Sequence, residues 1–153
     1  MATGPRDDGR SDMDVPTEVE GFAKFLGIEF TELGADRTVL TCTITPDMRQ
    51  PYGILHGGVH CSLVETAASI AAALWLGDRG SVVGVANHTN FLRAMRSGRL
   101  TAVASPIQRG RSQQLWQVIV SDDAGRAVAR GEVRLANIAT PELLGRADGT
   151  APA

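Results

Sequence analysis

The sequence predicts an α+β domain in which one long apolar helix packs against an antiparallel sheet. Three observations predict it. Apolar and small residues recur with a 3.6-residue period from Gly58 to about Trp75. Segments rich in β-branched residues, with much shorter period, lie on both sides of that run. Short turns separate these segments, which favours antiparallel neighbours.

The 153 residues are the usual size of one domain. A chain of this length buries roughly two thirds of the surface its unfolded form exposes, so it needs no disulfide or metal to fold. Aromatics are only 5%, so Val, Leu, Ile and Ala must fill the core. The net charge of -2 and the lack of a long basic run argue against duplex nucleic acid as a partner. Cys42 and Cys61 lie in apolar surroundings without a close-spaced thiol pair, which predicts buried free thiols and a cytoplasmic chain. The start, MATGPRDDGRSDMD, has no apolar core and is not a signal peptide. The longest apolar stretch, SIAAALWL, is too short to span a membrane.

The elements follow in order. Residues 1–16 read as a disordered tail, 17–139 as one domain and 140–153 as a flexible tail. Thr17 caps a short helix through Leu26, with Glu18 and Glu20 in its first turn. Gly27–Leu33 and Arg37–Thr45 are strands, the second with Leu40, Cys42 and Ile44 on one face and Val39, Thr41, Thr43 and Thr45 on the other. The long helix presents Val59, Leu63, Thr66, Ile70 and Ala73 on one face, and Ser62, Glu65, Ser69 and Ala72 on another. A helix so apolar nearly all round is surrounded by protein. Strands at Ser81–Phe91, Gly98–Arg109, Gln113–Asp122 and Ala127–Ala136 complete the order α-β-β-α-β-β-β-β. One sheet cannot cover such a helix on all sides, which favours a dimer.

The chemistry concentrates in QPYGILHGGVHCSLVETAAS, Gln50 to Ser69. An extended approach delivers His56, Gly57 and Gly58 to the helix start, and the apolar helix then carries a single carboxylate, Glu65. Such a carboxylate is costly unless solvated, paired or used. His56, His60 and Glu65 superficially suggest a metal site, but His56 precedes the helix and no third ligand converges, so no metal is expected. His60 reads as a packing or surface residue, and Trp75 and Trp116 as core or rim packing.

These residues resemble the hotdog-fold acyl-CoA thioesterases, in particular the bacterial group that includes hydroxybenzoyl-CoA and phenylacetate-pathway thioesterases. The resemblance runs from about Gly21 to Asn137 and is sharpest at HGG followed, eight residues after its first glycine, by a carboxylate. It implies a hotdog fold: a curved antiparallel sheet wrapped around one long central helix, dimerising into a continuous sheet. It implies hydrolysis of an acyl-CoA thioester, with Glu65 as the catalytic carboxylate and the Gly57 N–H on the thioester carbonyl. His56 would hold the site, Gln50 would lie in the same pocket, and Ser69 would position water or substrate.

Gly57 at a helix start has an N–H without an intrahelical partner, and the helix dipole adds positive potential there. Both would polarise a carbonyl. Glu65 lies eight positions on, about 12 Å along the axis. One thioester cannot reach both within one helix, so two antiparallel helices from two chains would form the site. Glu65 would act as general base or as nucleophile.

Coenzyme A is part of the substrate, and no separate cofactor is expected. Its contacts fall by resemblance on Asn87, His88, Asn90 and Arg93, and on the loop Arg109-Gly110-Arg111-Ser112 with Gln108 before it. Small helix residues Ser62, Val64 and Ser69 would line an acyl pocket for aromatic or medium-chain groups. The resemblance implies a homodimer and a homotetramer as a dimer of dimers. Two other functions share these features: a noncatalytic acyl-CoA binder, and a hotdog dehydratase, whose paired histidine and acidic motif is not found.

Overall fold

The computed structural model describes residues 19–139. Both expected tails, 1–16 and 140–153, lie outside the described residues, as do Thr17 and Glu18. The elements are α1 (Gly21–Phe25), β1 (Glu29–Glu32), β2 (Thr38–Thr43), α2 (Gly57–Leu76), β3 (Ser81–Phe91), β4 (Arg99–Arg109), β5 (Gln113–Ser121) and β6 (Ala127–Ile138). They follow the predicted order. Each strand pairs antiparallel with its neighbours in one six-stranded sheet, ordered β1-β2-β4-β5-β6-β3.

The core is the interface between α2 and the sheet. Leu63, Val64, Ala67, Ala68, Ala71 and Ala72 are fully buried on the helix. Opposite them lie Leu40 and Cys42 of β2, Leu100, Ala102 and Ala104 of β4, Trp116 and Val118 of β5, and Val133 and Leu135 of β6. The alanines let the helix axis lie close to the strands, and the larger sheet residues fill the space beside it. One close approach is at Gly131, where a Cβ would sit 2.5 Å from Val64 Cγ1 and 2.8 Å from Thr89 Oγ1.

The expected wrapping of the sheet is corrected. The sheet is open, with β1 and β3 as its two edges and no ladder joining them. It neither curls round nor closes over α2, which packs chiefly on β2 to β6. The reason lies in the edge strands. β1 has only four residues, mostly exposed, and cannot fold over the far side of a 20-residue helix. That far side accordingly remains open: Ser62, Thr66, Ser69, Ile70 and Ala73 are all half-buried. The predicted face of Val59, Leu63, Thr66, Ile70 and Ala73 is therefore split between core and opening. A second correction concerns length. Once formed, α2 with the 3-10 turn that follows it is long and apolar enough to cross a membrane. Its buried face lies instead against the sheet.

Strand β3 has a bulge that changes which of its residues face α2. Antiparallel partners share a sheet face. Gly84 pairs with Leu135, but the register slips before Ala86, so that Asn87 pairs with Val133, Thr89 with Gly131 and Phe91 with Ala129. Leu135, Val133 and Ala129 are fully buried and Gly131 is buried with them. Gly84, Asn87, Thr89 and Phe91 thus share the helix side, although simple alternation would put Gly84 and Asn87 on opposite faces.

His60 is a core residue, 3% exposed, with its ring 5.8 Å from that of Phe91. Its Nδ1 has no hydrogen-bond partner among the described residues. Burial pushes its pKa below the ordinary histidine value, because a charged imidazole is poorly solvated there.

Two outcomes follow from this packing. Gly131→Ala should lower stability by about 1–3 kcal/mol, since the neighbouring Val64 is itself held between helix and sheet; urea denaturation measures this. The depressed His60 pKa means that the unfolded chain takes up the proton first. The stability His60 contributes is complete above about pH 6.5 and is lost as pH falls through its folded pKa. Wild type should therefore lose stability relative to His60→Leu between pH 7.5 and 5.5, and a pH-independent difference would contradict the buried neutral imidazole.

Candidate active site

The approach to α2 is a tight loop. Gln50 N–H donates to Ile54 O at 2.8 Å, Gly53 N–H returns to Gln50 O at 2.8 Å, and Tyr52 N–H donates to the Gln50 side-chain oxygen at 2.9 Å. His56 then caps the helix. Its backbone is extended, and its Nδ1 accepts from Gly58 N–H at 2.9 Å. The proton of a neutral His56 therefore sits on Nε2. Gly57 occupies the first helical position, whose N–H has no carbonyl to reach within the helix. It is glycine for a packing reason too: a Cβ there would meet the Phe91 ring at 2.7 Å.

Gln50, Gly57 and His60 line one cavity of about 310 Å³ with Ile54, Leu55 and Phe91. Arg93, on the segment leaving β3, also lines it. The cavity is therefore mainly apolar, with the helix N-terminus and the Gln50 amide as polar features. It can hold a small acyl group beside a dipole end that favours negative charge.

Glu65 lies two turns farther along α2 and is half-buried. It is held by β3. Asn87 Nδ2 donates to Glu65 Oε2 at 2.9 Å and to the Cys61 carbonyl at 3.1 Å. Thr89 Oγ1 donates to Asn87 Oδ1 at 2.7 Å, which fixes the amide with its NH₂ toward the carboxylate. The other carboxylate oxygen, Oε1, rests over Gly84, where a Cβ would collide with it. Ser69, one turn beyond Glu65, is half-buried on the open helix face. Gln50, His56 and Gly57 thus cluster at the helix N-terminus, while Glu65 and Ser69 sit apart, on the same helix.

The expected coenzyme A contacts divide between separate places. Asn87 commits its amide to Glu65 and Cys61. His88 and Asn90 are exposed on the opposite sheet face, paired with Glu132 and Arg130. Arg109–Ser112 lies near the C-terminal end of α2. There Arg109, Gly110 and Arg111 line a cavity of about 420 Å³ with Trp75, Arg79 and Asn137. Arg109 is not a lone charge: Nη1 contacts Asp36 Oδ1 at 2.6 Å and Ala35 O at 3.0 Å, and its guanidinium lies 5.4 Å from the Trp75 ring centre.

A polar chain that starts in the core fixes this loop. Trp116 Nε1 donates to Gln114 Oε1 at 2.8 Å, and Gln114 Nε2 donates to Asn137 Oδ1 at 2.8 Å. Asn137 Nδ2 then donates to the carbonyls of Gly110 at 3.0 Å and Arg111 at 3.1 Å. Gln114 is fully buried, so leaving its amide unpaired would be costly.

Sequence reasoning missed Gly84, Thr89, Gln114 and Asn137. An isolated glycine inside a strand is a bulge signal, and Gly84 carried it. Nothing local distinguishes Gln114 or Asn137, whose partners are remote in sequence.

Comparison with known proteins gives a consistent picture. Residues 52–129 match the family model described as the thioesterase superfamily. A Mycobacterium tuberculosis protein, provisionally named an esterase, is 48% identical over 120 residues, 76% of this chain and 86% of its own. The crystal structure of S. sahachiroi AziG superposes with a TM-score of 0.78 at 49% identity, covering 80% of this chain and 100% of that one. The 1,4-dihydroxy-2-naphthoyl-CoA hydrolase of Escherichia coli is 35% identical over 102 residues, 67% of this chain and 75% of its own. With its helix-on-sheet architecture and its HGG-to-carboxylate segment, the chain belongs to the hotdog-fold thioesterase superfamily and is a thioester hydrolase.

Proposed function

We propose that the enzyme hydrolyses aromatic or medium-chain acyl-CoA thioesters at a site shared by two chains. One observation carries this reading. Gly57 and Glu65 both lie on α2, eight positions apart, and Glu65 is held in place by its own chain's β3. The half-buried face of α2 that carries Ser62, Thr66 and Ser69 is where a second antiparallel α2 would lie. That arrangement brings Gly57 of one chain to Glu65 of its partner.

In this reading the thioester carbonyl points its oxygen at the Gly57 N–H, and the acyl group enters the cavity beside Gln50 and Phe91. The helix N-terminus stabilises the negative charge that develops on that oxygen. His56 holds the N–H in position by capping the next residue. Glu65 of the partner removes a proton from water, which attacks the carbonyl carbon; the C–S bond then breaks and coenzyme A leaves as its thiol. Attack by Glu65 itself, through an anhydride, gives the same products. The loop Arg109–Ser112 is the candidate for the coenzyme A phosphates, with the Arg109 charge partly offset by Asp36. An aromatic acyl group is supported by the apolar cavity and by the name of the Escherichia coli relative. Ser69, one turn beyond the carboxylate, is the candidate for positioning water.

Glu65→Gln keeps the size and most hydrogen bonding of the side chain but removes the base. Free-thiol release from a panel of acyl-CoA thioesters should fall at least ~10²-fold in kcat, with KM little changed. Turnover near wild type would remove Glu65 from the mechanism, and tight binding without release by the wild type would favour a noncatalytic binder. Single turnover in ¹⁸O-labelled water separates the two chemistries. Label entering the Glu65 carboxylate requires an anhydride opened by water at the Glu65 carbonyl carbon, and would overturn the general-base chemistry.

A further inference from the structure

Resting on the assignment of Glu65 as the catalytic carboxylate, we propose that Asn87, oriented by Thr89 and seated by the β3 bulge beside Gly84, is the positioning residue for that carboxylate.

Four observations converge on it. Asn87 Nδ2 reaches Glu65 Oε2 at 2.9 Å and the carbonyl of Cys61, one turn before Glu65, at 3.1 Å. The amide thus ties the carboxylate to its own helix backbone. Thr89 Oγ1 donates to Asn87 Oδ1 at 2.7 Å, so the amide cannot rotate its oxygen toward Glu65 without losing that bond. Gly84 leaves room for Oε1, and any larger residue would displace the carboxylate. The register slip between Gly84 and Ala86 brings Gly84, Asn87 and Thr89 to the same face. Bulges of this kind re-aim side chains at the cost of one unpaired residue.

The consequence is a division of labour between the two carboxylate oxygens. Oε2 is occupied by the Asn87 amide. Oε1, over the bare Gly84 backbone, is left to accept the proton of water or to attack. A carboxylate on a flexible glutamate stem would otherwise sample several rotamers, few of them productive.

The test uses the full-length enzyme and steady-state free-thiol release, reading kcat and KM separately. Asn87→Leu, of similar shape without the donor, and Asn87→Asp, similar in size with oxygen for nitrogen, should each lower kcat by ~10–100-fold with KM within about two-fold, the loss corresponding to a hydrogen bond to a charged group. Thr89→Val should give a smaller loss in kcat, and Thr89→Ser should recover most of it by restoring the hydroxyl. Gly84→Ala should lower kcat with Asn87 intact. Urea denaturation identifies variants that are folded, and the comparison is made on those. Folded Asn87 variants with kcat near wild type, or a loss confined to KM, would overturn the proposal while an inactive Glu65→Gln left the catalytic assignment standing. An active Glu65→Gln would overturn both.

Discussion

The close seating of α2 on the sheet is the constraint from which the other features follow. It favours the small, fully buried alanines at 67, 68, 71 and 72, and glycine at 131, where a Cβ would meet the Val64 and Thr89 side chains. Fully burying medium-sized side chains contributes roughly 1.5–3 kcal/mol each, so the leucines, valines and Trp116 around this line dominate the favourable energy. Exposed ion pairs such as Arg99 with Glu29 contribute at most about 1 kcal/mol. The same seating brings Glu65 within hydrogen-bond reach of β3. A helix held farther away by larger residues would leave the carboxylate in solvent, without Asn87.

The two ends of α2 have different surroundings. Its N-terminus is made electropositive by unsatisfied N–H groups and is shaped by the Gln50–Ile54 loop and the His56 cap. Its C-terminus is covered by aromatic and guanidinium groups: Arg79 lies 4.4 Å from the centre of the Trp75 ring, and Arg109 reaches the same ring from β4. Gln114 Nε2, in the polar chain from Trp116 to Asn137, also donates to the Ala72 carbonyl of α2 at 3.3 Å, which links the helix to the Arg109–Ser112 loop. Core packing therefore fixes the candidate phosphate loop and the candidate carbonyl site with one element.

Much of this was legible in the sequence, for physical reasons. The change from a period of two to 3.6 residues identifies α2 to within about one residue at each end, and the alternation in Gln113–Asp122 and Ala127–Ala136 identifies β5 and β6, which end at Ser121 and Ile138. HGG with a carboxylate eight positions on drew attention to Gly57 and Glu65, because both are chemically unusual at a helix start and in an apolar helix. The openness of the sheet was not legible, since strand count and alternation do not record curvature. The face presented by Asn87 was not legible either. One inserted residue reverses the alternation, and only the isolated Gly84 hinted at it. The partners of Gln114 and Asn137 depend on strand register, which pattern alone does not give.

The central claim is that the catalytic groups of one site come from two chains. Subunit complementation tests it most directly. Gly57→Ala and Glu65→Gln chains, each folded and nearly inactive alone, are mixed, dissociated and reassociated, and thiol release is followed. If the site is shared, each mixed dimer contains one site with both defects and one with neither, and activity returns to about a quarter of wild type. If each chain carries a complete site, every site retains one defect, and the mixture stays as inactive as its parents.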